Sequence, residues 1–208
     1  MKNTRSVQLA AWLWISQIQY FLVQVVVALA WPTRYSWRDN FISDLGNTAC
    51  GDYARQYVCS PLHSLMNVSF LVLGITMAVG AWLLRRPIAE TLLARTGFIF
   101  LILAGLGTIL VGIYPENSIP LIHVTAASLP FIFGNTAMIL IGIGMPALPK
   151  WFRHLSIAAG LIALCALGGF LMAVYFGFGK GGTERIISYP LTIWMIIFGD
   201  VMIRKFRG

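Results

Sequence analysis

Six apolar stretches, each long enough to cross a bilayer, dictate what this chain can fold into. They run from about Val7 to Trp31, Pro61 to Leu84, Leu93 to Tyr114, Ile119 to Leu148, Phe152 to Phe176 and Thr183 to Ile203. A hydrocarbon core of about 30 Å takes roughly 20 consecutive apolar residues as a helix. Composition agrees, with 58% hydrophobic and 11% charged residues, where a soluble domain carries about 25% charged. The expected fold is an all-α membrane protein, a six-transmembrane-helix bundle forming a single membrane domain over residues 1–208. The fourth stretch is the longest and contains Pro130, so it must tilt, kink or emerge from the bilayer.

The net charge of +8 sits in short connections beside the apolar stretches and acts as a topology signal, which argues against a nucleic-acid partner and for membrane lipids. Lys2, Arg5, Arg85, Arg86, Arg95, Lys150, Arg153, Arg204, Lys205 and Arg207 fall on one side of the bundle. Arg34, Arg38, Arg55, Lys180 and Arg185 fall on the other, where Asp39, Asp44, Asp52, Glu116 and Glu184 nearly neutralise them. The first side is expected in the cytoplasm with both termini, and the protein in the inner (plasma) membrane. The basic start and Ala28-Leu29-Ala30 look like a signal peptide. The apolar part is too long for one, however, and it holds Gln17, Gln19 and Gln24, so a retained first helix is expected. Gln17, Tyr20 and Gln24 share one face of it, which should point into the bundle.

Residues 32–60 are expected to form an extracytoplasmic cap. Trp37, Phe41 and Leu45 recur every four residues, with Asp39, Asn40, Ser43 and Asn47 opposite. That pattern predicts a short interfacial helix ended by a left-handed Gly46. Cys50 and Cys59 share this outer segment, where an oxidising compartment permits a disulfide. Their spacing is not Cys-x-x-Cys, which favours a structural staple over a redox pair. Cys165 lies inside the fifth stretch and is expected in the core.

Chemistry is expected beneath the cap. Ser60-Pro61 reads as an N-cap and first helical residue, placing His63 in the opening turn and Asn67 one turn deeper. Asn117-Ser118-Ile119-Pro120 precedes His123 in a similar way. Both imidazoles should lie near positive helix ends, which favour the neutral form. His63, His123, Asp44 and Glu116 are the candidate catalytic residues; Ser43, Asn67, Glu184, Arg185 and Tyr189 are candidates for ligand binding. Ser43 or Ser64 could act as a nucleophile. If a metal is held, zinc on His63 and His123 is the fitting choice, and two histidines on different helices also suit a haem iron. The plainer alternative is that the histidines bond loop carbonyls and close the bundle. Elsewhere His154 reads as a surface residue, Asn135 as an interhelical bond, and Asp200 with Arg204 as a helix ion pair.

The segments Ile42-Ser43-Asp44-Leu45-Gly46 and Gly112-Ile113-Tyr114-Pro115-Glu116, followed by His123, resemble a bacterial and archaeal integral membrane family known as domain of unknown function 998. The resemblance implies about six spans and no assigned activity. A more distant comparison is with the ceramidase and adiponectin-receptor-like membrane hydrolases, which use histidines, an Asp and a Ser around zinc. This chain departs from them: six stretches replace seven, and His154 falls on the opposite side from His63 and His123. The functional expectation is a polar outer-leaflet pocket that binds a lipid or other amphiphile. Its enzymatic extension is a lipid hydrolase or transferase at the extracytoplasmic face. The alternative is a non-catalytic scaffold, partner subunit or permease-like protein.

Overall fold

Polar side chains break the first apolar stretch into two helices, α1 (Thr4–Ile15) and α2 (Ile18–Leu29). Ser16 Oγ donates back to the Leu13 carbonyl at 2.8 Å, and the Gln17 amide turns to Trp14 O, one residue nearer than an α-helix uses. Gln17, Tyr20 and Gln24 are all buried, on the expected face. Gln17 Nε2 donates to Thr76 Oγ1 at 3.3 Å, and Ser69 Oγ donates to Gln19 Oε1 at 2.8 Å. Such bonds between helices are worth about 0.6 kcal/mol each in a membrane, so their main effect is to orient the helix.

The computed structural model describes residues 4–53 and 56–206; Lys2, Arg55 and Arg207 of the charge asymmetry lie outside the described residues. The remaining helices are α3 (His63–Leu84), α4 (Leu92–Ile113), α5 (Pro120–Leu129), α6 (Asn135–Gly144), α7 (Lys150–Leu171) and α8 (Gly179–Phe206). A π turn, Pro130–Gly134, joins α5 to α6. Counting α1 with α2 and α5 with α6, six helices are long and apolar enough to cross a membrane. Several boundaries shift by a few residues from expectation, and three of the shifts have a visible cause. Ser60 does not cap α3, because its Oγ donates to Leu45 O at 2.6 Å; the helix opens at His63 behind Leu62, which makes no side-chain cap bond. α7 ends at Leu171, where Ala173 and Phe176 take φ of 57° and 49° and turn the chain. α8 then begins at Gly179, ahead of Thr183.

Small residues set the closest helix contact. A Cβ on Gly74 would lie 2.5 Å from Gly105 O, and one on Gly105 2.7 Å from Gly74 O, so α3 and α4 touch backbone to backbone. Away from the cap, Trp14, Phe98, Phe152, Trp194 and Phe198 form one buried aromatic cluster. A second cluster, with Tyr20, Leu45, Phe70 and Leu73, lies under the cap. Cys165 is exposed rather than in the core, because α7 packs on α6 and α8 and turns its remaining face outward. Asn135 does bridge helices, donating to Ile187 O at 3.0 Å, and Asp200 pairs with Arg204 at 2.8 Å.

The expected interfacial helix of the cap is absent. Asn40 Oδ1 takes the Ser36 N–H, Ser36 Oγ takes the Asp39 N–H and Asp44 Oδ2 takes the Phe41 N–H. These side chains occupy the donors that a helix would use. Only a 3₁₀ turn forms, Ser43–Gly46, followed by an antiparallel hairpin of β1 (Gly51–Tyr53) and β2 (Gln56–Val58). Gly46 is not among the left-handed residues. It is needed for a close approach, since a Cβ there would lie 2.4 Å from Asn67 Oδ1. The Cys50–Cys59 disulfide closes the hairpin.

Candidate functional site

Pro130 and the π turn below it decide where the bundle opens. α6 packs along α7, whereas α5 leans on α4 and parts from α7. The gap is a chamber of about 360 Å³, with Phe41, Phe131, Leu167 and Phe170 among its apolar walls. Its rim carries exposed Val124, Ile132 and Leu171, so it opens on the apolar lateral surface of the bundle. A smaller pouch of about 60 Å³ reaches inward between Phe70, Leu73, Met77, Val111 and Leu191. Ser43, His123, Ala127, Phe131 and Glu184 line both spaces and form the wall between them. Ser188 Oγ, on the pouch wall, is buried and has no protein partner.

The polar end of the chamber is assembled from four elements. The 3₁₀ turn brings Ser43 and Asp44, the α4–α5 connection Glu116, α5 His123, and α8 Glu184. Asp44 is fully buried; its Oδ2 accepts from Asn40 Nδ2 at 3.1 Å, from the Phe41 amide at 2.8 Å and from Gln56 Nε2. Its Oδ1 is buried with no donor. Glu116 lies against it, accepts from Asn47 Nδ2 at 2.8 Å, and has its pKa pushed up to about 8. Burial is the main cause and the Asp44 charge the second, partly offset by hydrogen bonds from Asn47 and Ser43. At neutral pH Glu116 therefore carries a proton beside the Asp44 carboxyl. Tyr53 donates to Glu116 O at 2.8 Å, and burial followed by these two acids raises its own pKa, so the phenol stays a donor.

His123 Nδ1 lies 2.8 Å from Tyr114 O. A carbonyl can only accept, so Nδ1 carries the proton, and Nε2 of the neutral ring is left as an acceptor. Glu184 accepts from the Ile42 amide at 2.6 Å, which ties the cap to α8 beside the chamber.

The other expected site residues, Asn67, Arg185, Tyr189 and His63, line neither space. Asn67 Nδ2 donates to Gly46 O at 2.9 Å and holds the 3₁₀ turn. Arg185 donates to the carbonyls of Trp37, Asn40 and Gly181 and to the Tyr35 hydroxyl. Tyr189 donates to Gln24 Oε1 at 2.8 Å, joining α8 to α2. His63 lines neither the chamber nor the pouch; its nearest polar contact is Ser64 Oγ, 3.4 Å away. Of the two imidazoles only that of His123 lines these spaces, and the 3₁₀ turn is tied to α3 and the residues before it by Asn67 and Ser60. Among the described residues no three His, Cys, Asp or Glu side chains are placed to hold a metal ion. The zinc arrangement of the distant hydrolases does not fit, since His63 stands apart and Asp44 and Glu184 are engaged by backbone donors.

Sequence reasoning missed Tyr53, Gln56, Asn47 and the aromatic wall. Gln56 and Tyr53 face each other in the hairpin register, and nothing in so short a strand announces a pairing. The one available signal was the density of amides and acids between Asn40 and Gln56.

No curated protein and no solved structure matches the chain. The short segments around Asp44 and Glu116, now seen side by side, lie within residues 18–200, which match the family described as "Protein of unknown function (DUF998)". The chain is a six-helix membrane protein and belongs to that family.

Proposed function

We propose that the protein binds an amphiphile at the capped end of the bundle, taking it from the outer leaflet through the gap between α5 and α7. The observation that carries this reading is a polar wall, Ser43, Glu116, His123 and Glu184, at the inner side of an apolar chamber open to the lateral surface. The head meets acids, a hydroxyl and an imidazole acceptor, while the hydrocarbon lies against Phe131, Leu167 and Phe170. Ser188 Oγ offers a further polar contact deeper in. The Lys and Arg asymmetry supports a cap on the extracytoplasmic side of the inner (plasma) membrane with both termini in the cytoplasm. The Cys50–Cys59 disulfide supports the same orientation, because disulfides persist in oxidising compartments.

Hydrolysis or group transfer at the bound head is a second reading. It is favoured by the juxtaposition of a proton-accepting imidazole, His123, with a proton-bearing carboxyl, Glu116. These are the two halves of acid–base catalysis. Either the Ser43 hydroxyl or a water would attack.

The test is native mass spectrometry of lipid retained by the purified protein. Ala127 lines both spaces, so Ala127→Trp should fill them and abolish retention while the protein still elutes as a folded species. His123→Ala should weaken retention about tenfold, the loss of one good polar contact. Undiminished lipid in the folded Ala127→Trp variant would sink the proposal. Product formation by the wild type and not by His123→Ala would select the enzymatic reading.

A further inference from the structure

At the end of the bundle away from the cap, Arg85, Arg86 and Arg95 line one cavity of about 370 Å³, with Ile99 beside them. Arg85 and Arg86 follow the last turn of α3, where cations complement the helix dipole. That account fails for Arg95. It lies in the opening turn of α4 (Leu92–Ile113), where the dipole is positive and a cation is disfavoured. Three guanidiniums and a positive helix end thus face one space, an arrangement that needs an anion. Glu90 in the same connection is exposed and does not line the cavity.

The guanidiniums are also prepared for it. Arg85 lies over the Trp82 ring, 3.4 Å from its centroid, which fixes its plane, and its Nε is buried with no acceptor. Arg95 holds Ala89 O through Nε at 3.2 Å, which leaves its two terminal nitrogens for a ligand. A planar guanidinium matches phosphate oxygens in pairs. From the cavity, exposed Ile99, Leu103 and Leu106 continue along one face of α4, a surface suited to an acyl chain.

We propose that this cavity binds a phosphate-ester anion with two negative charges. The ligand is the head of an acidic phospholipid, either a phosphomonoester or a lipid with two phosphodiesters. The site is separate from the capped chamber, and its ligand lies in the opposite leaflet.

The full-length protein in neutral detergent is titrated with cardiolipin, phosphatidate or phosphatidylcholine and read by native mass spectrometry. The two acidic lipids should be retained on the order of tenfold better than phosphatidylcholine, with the preference falling as salt rises. Arg86→Gln with Arg95→Gln should remove the preference, whereas Arg86→Lys with Arg95→Lys should keep most of it. If the double glutamine variant does not fold, Arg95→Gln alone should lower the preference several-fold. A second arm adds inorganic phosphate at millimolar concentration. Failure to displace cardiolipin supports the lipid head; displacement assigns the anion site to soluble phosphate and overturns the lipid. Equal retention of phosphatidylcholine, or an unchanged preference in folded Arg95→Gln protein, overturns the site itself.

Discussion

The raised pKa of Glu116, buried beside the Asp44 carboxyl, is the most consequential residue-level feature of the capped end. Unfolded, Glu116 titrates near 4.5; folded, near 8. Below the lower value both states are protonated and the stabilisation is complete. Between the two, the folded state keeps a proton that the unfolded state has lost, so stability declines as pH rises and this contribution is gone above about 8. Glu116→Gln keeps an N–H donor toward Asp44 and cannot ionise. Thermal denaturation in detergent should therefore show the wild-type Tm falling between about pH 4.5 and pH 8 and the variant nearly flat. At the alkaline end the variant should be the more stable by several degrees, at about 2–4 °C per kcal/mol. Parallel curves for the two proteins would mean that the Glu116 pKa is not raised by folding. Both acids were legible as candidates because each stands in a polar segment next to an apolar one. Their partnership was not, since they are far apart in the chain and meet only through the 3₁₀ turn.

Among elements, the hairpin β1–β2 braces the site from the side of the cap. Gln56 reaches Asp44, Tyr53 reaches Glu116 O and lines the chamber, and the disulfide closes the strands behind them. Reducing Cys50–Cys59, or replacing both by Ser, frees a loop of about 10 residues and should cost roughly 2.5–3 kcal/mol. The expected readouts are a lower Tm in reductant and faster proteolysis confined to residues 48–60. A Tm indifferent to reductant would show that the hairpin is held by its hydrogen bonds alone. The cysteine pairing was readable from the shared outer segment. The hairpin was not, because three-residue strands show too little alternation, and the four-residue spacing of Trp37, Phe41 and Leu45 pointed to a helix that local side-chain bonds prevent.

For the whole molecule, the charge asymmetry predicts that the cap and Lys150 lie on opposite sides of the membrane. With the native cysteines replaced, single cysteines at Asn47 and Lys150 should label with an impermeant reagent from opposite faces of oriented vesicles; labelling from one face would reverse the reading. The apolar lengths alone determined six spans, because a helix is the simplest way to satisfy every backbone group in hydrocarbon. The inward turn of Gln17, Tyr20 and Gln24 followed from the same physics, since an unpartnered amide in lipid is costly. What only the tertiary structure decided is which polar groups meet. Helical periodicity gives a residue's face and depth but not the direction of the neighbouring helix. His63 and His123 were expected at one depth, yet only His123 lines the chamber and the pouch. The chamber exists because α5 departs from α7 above a π turn that begins at Pro130; the proline marked the break in the sequence, but that α5 leans on α4 there was decided by packing.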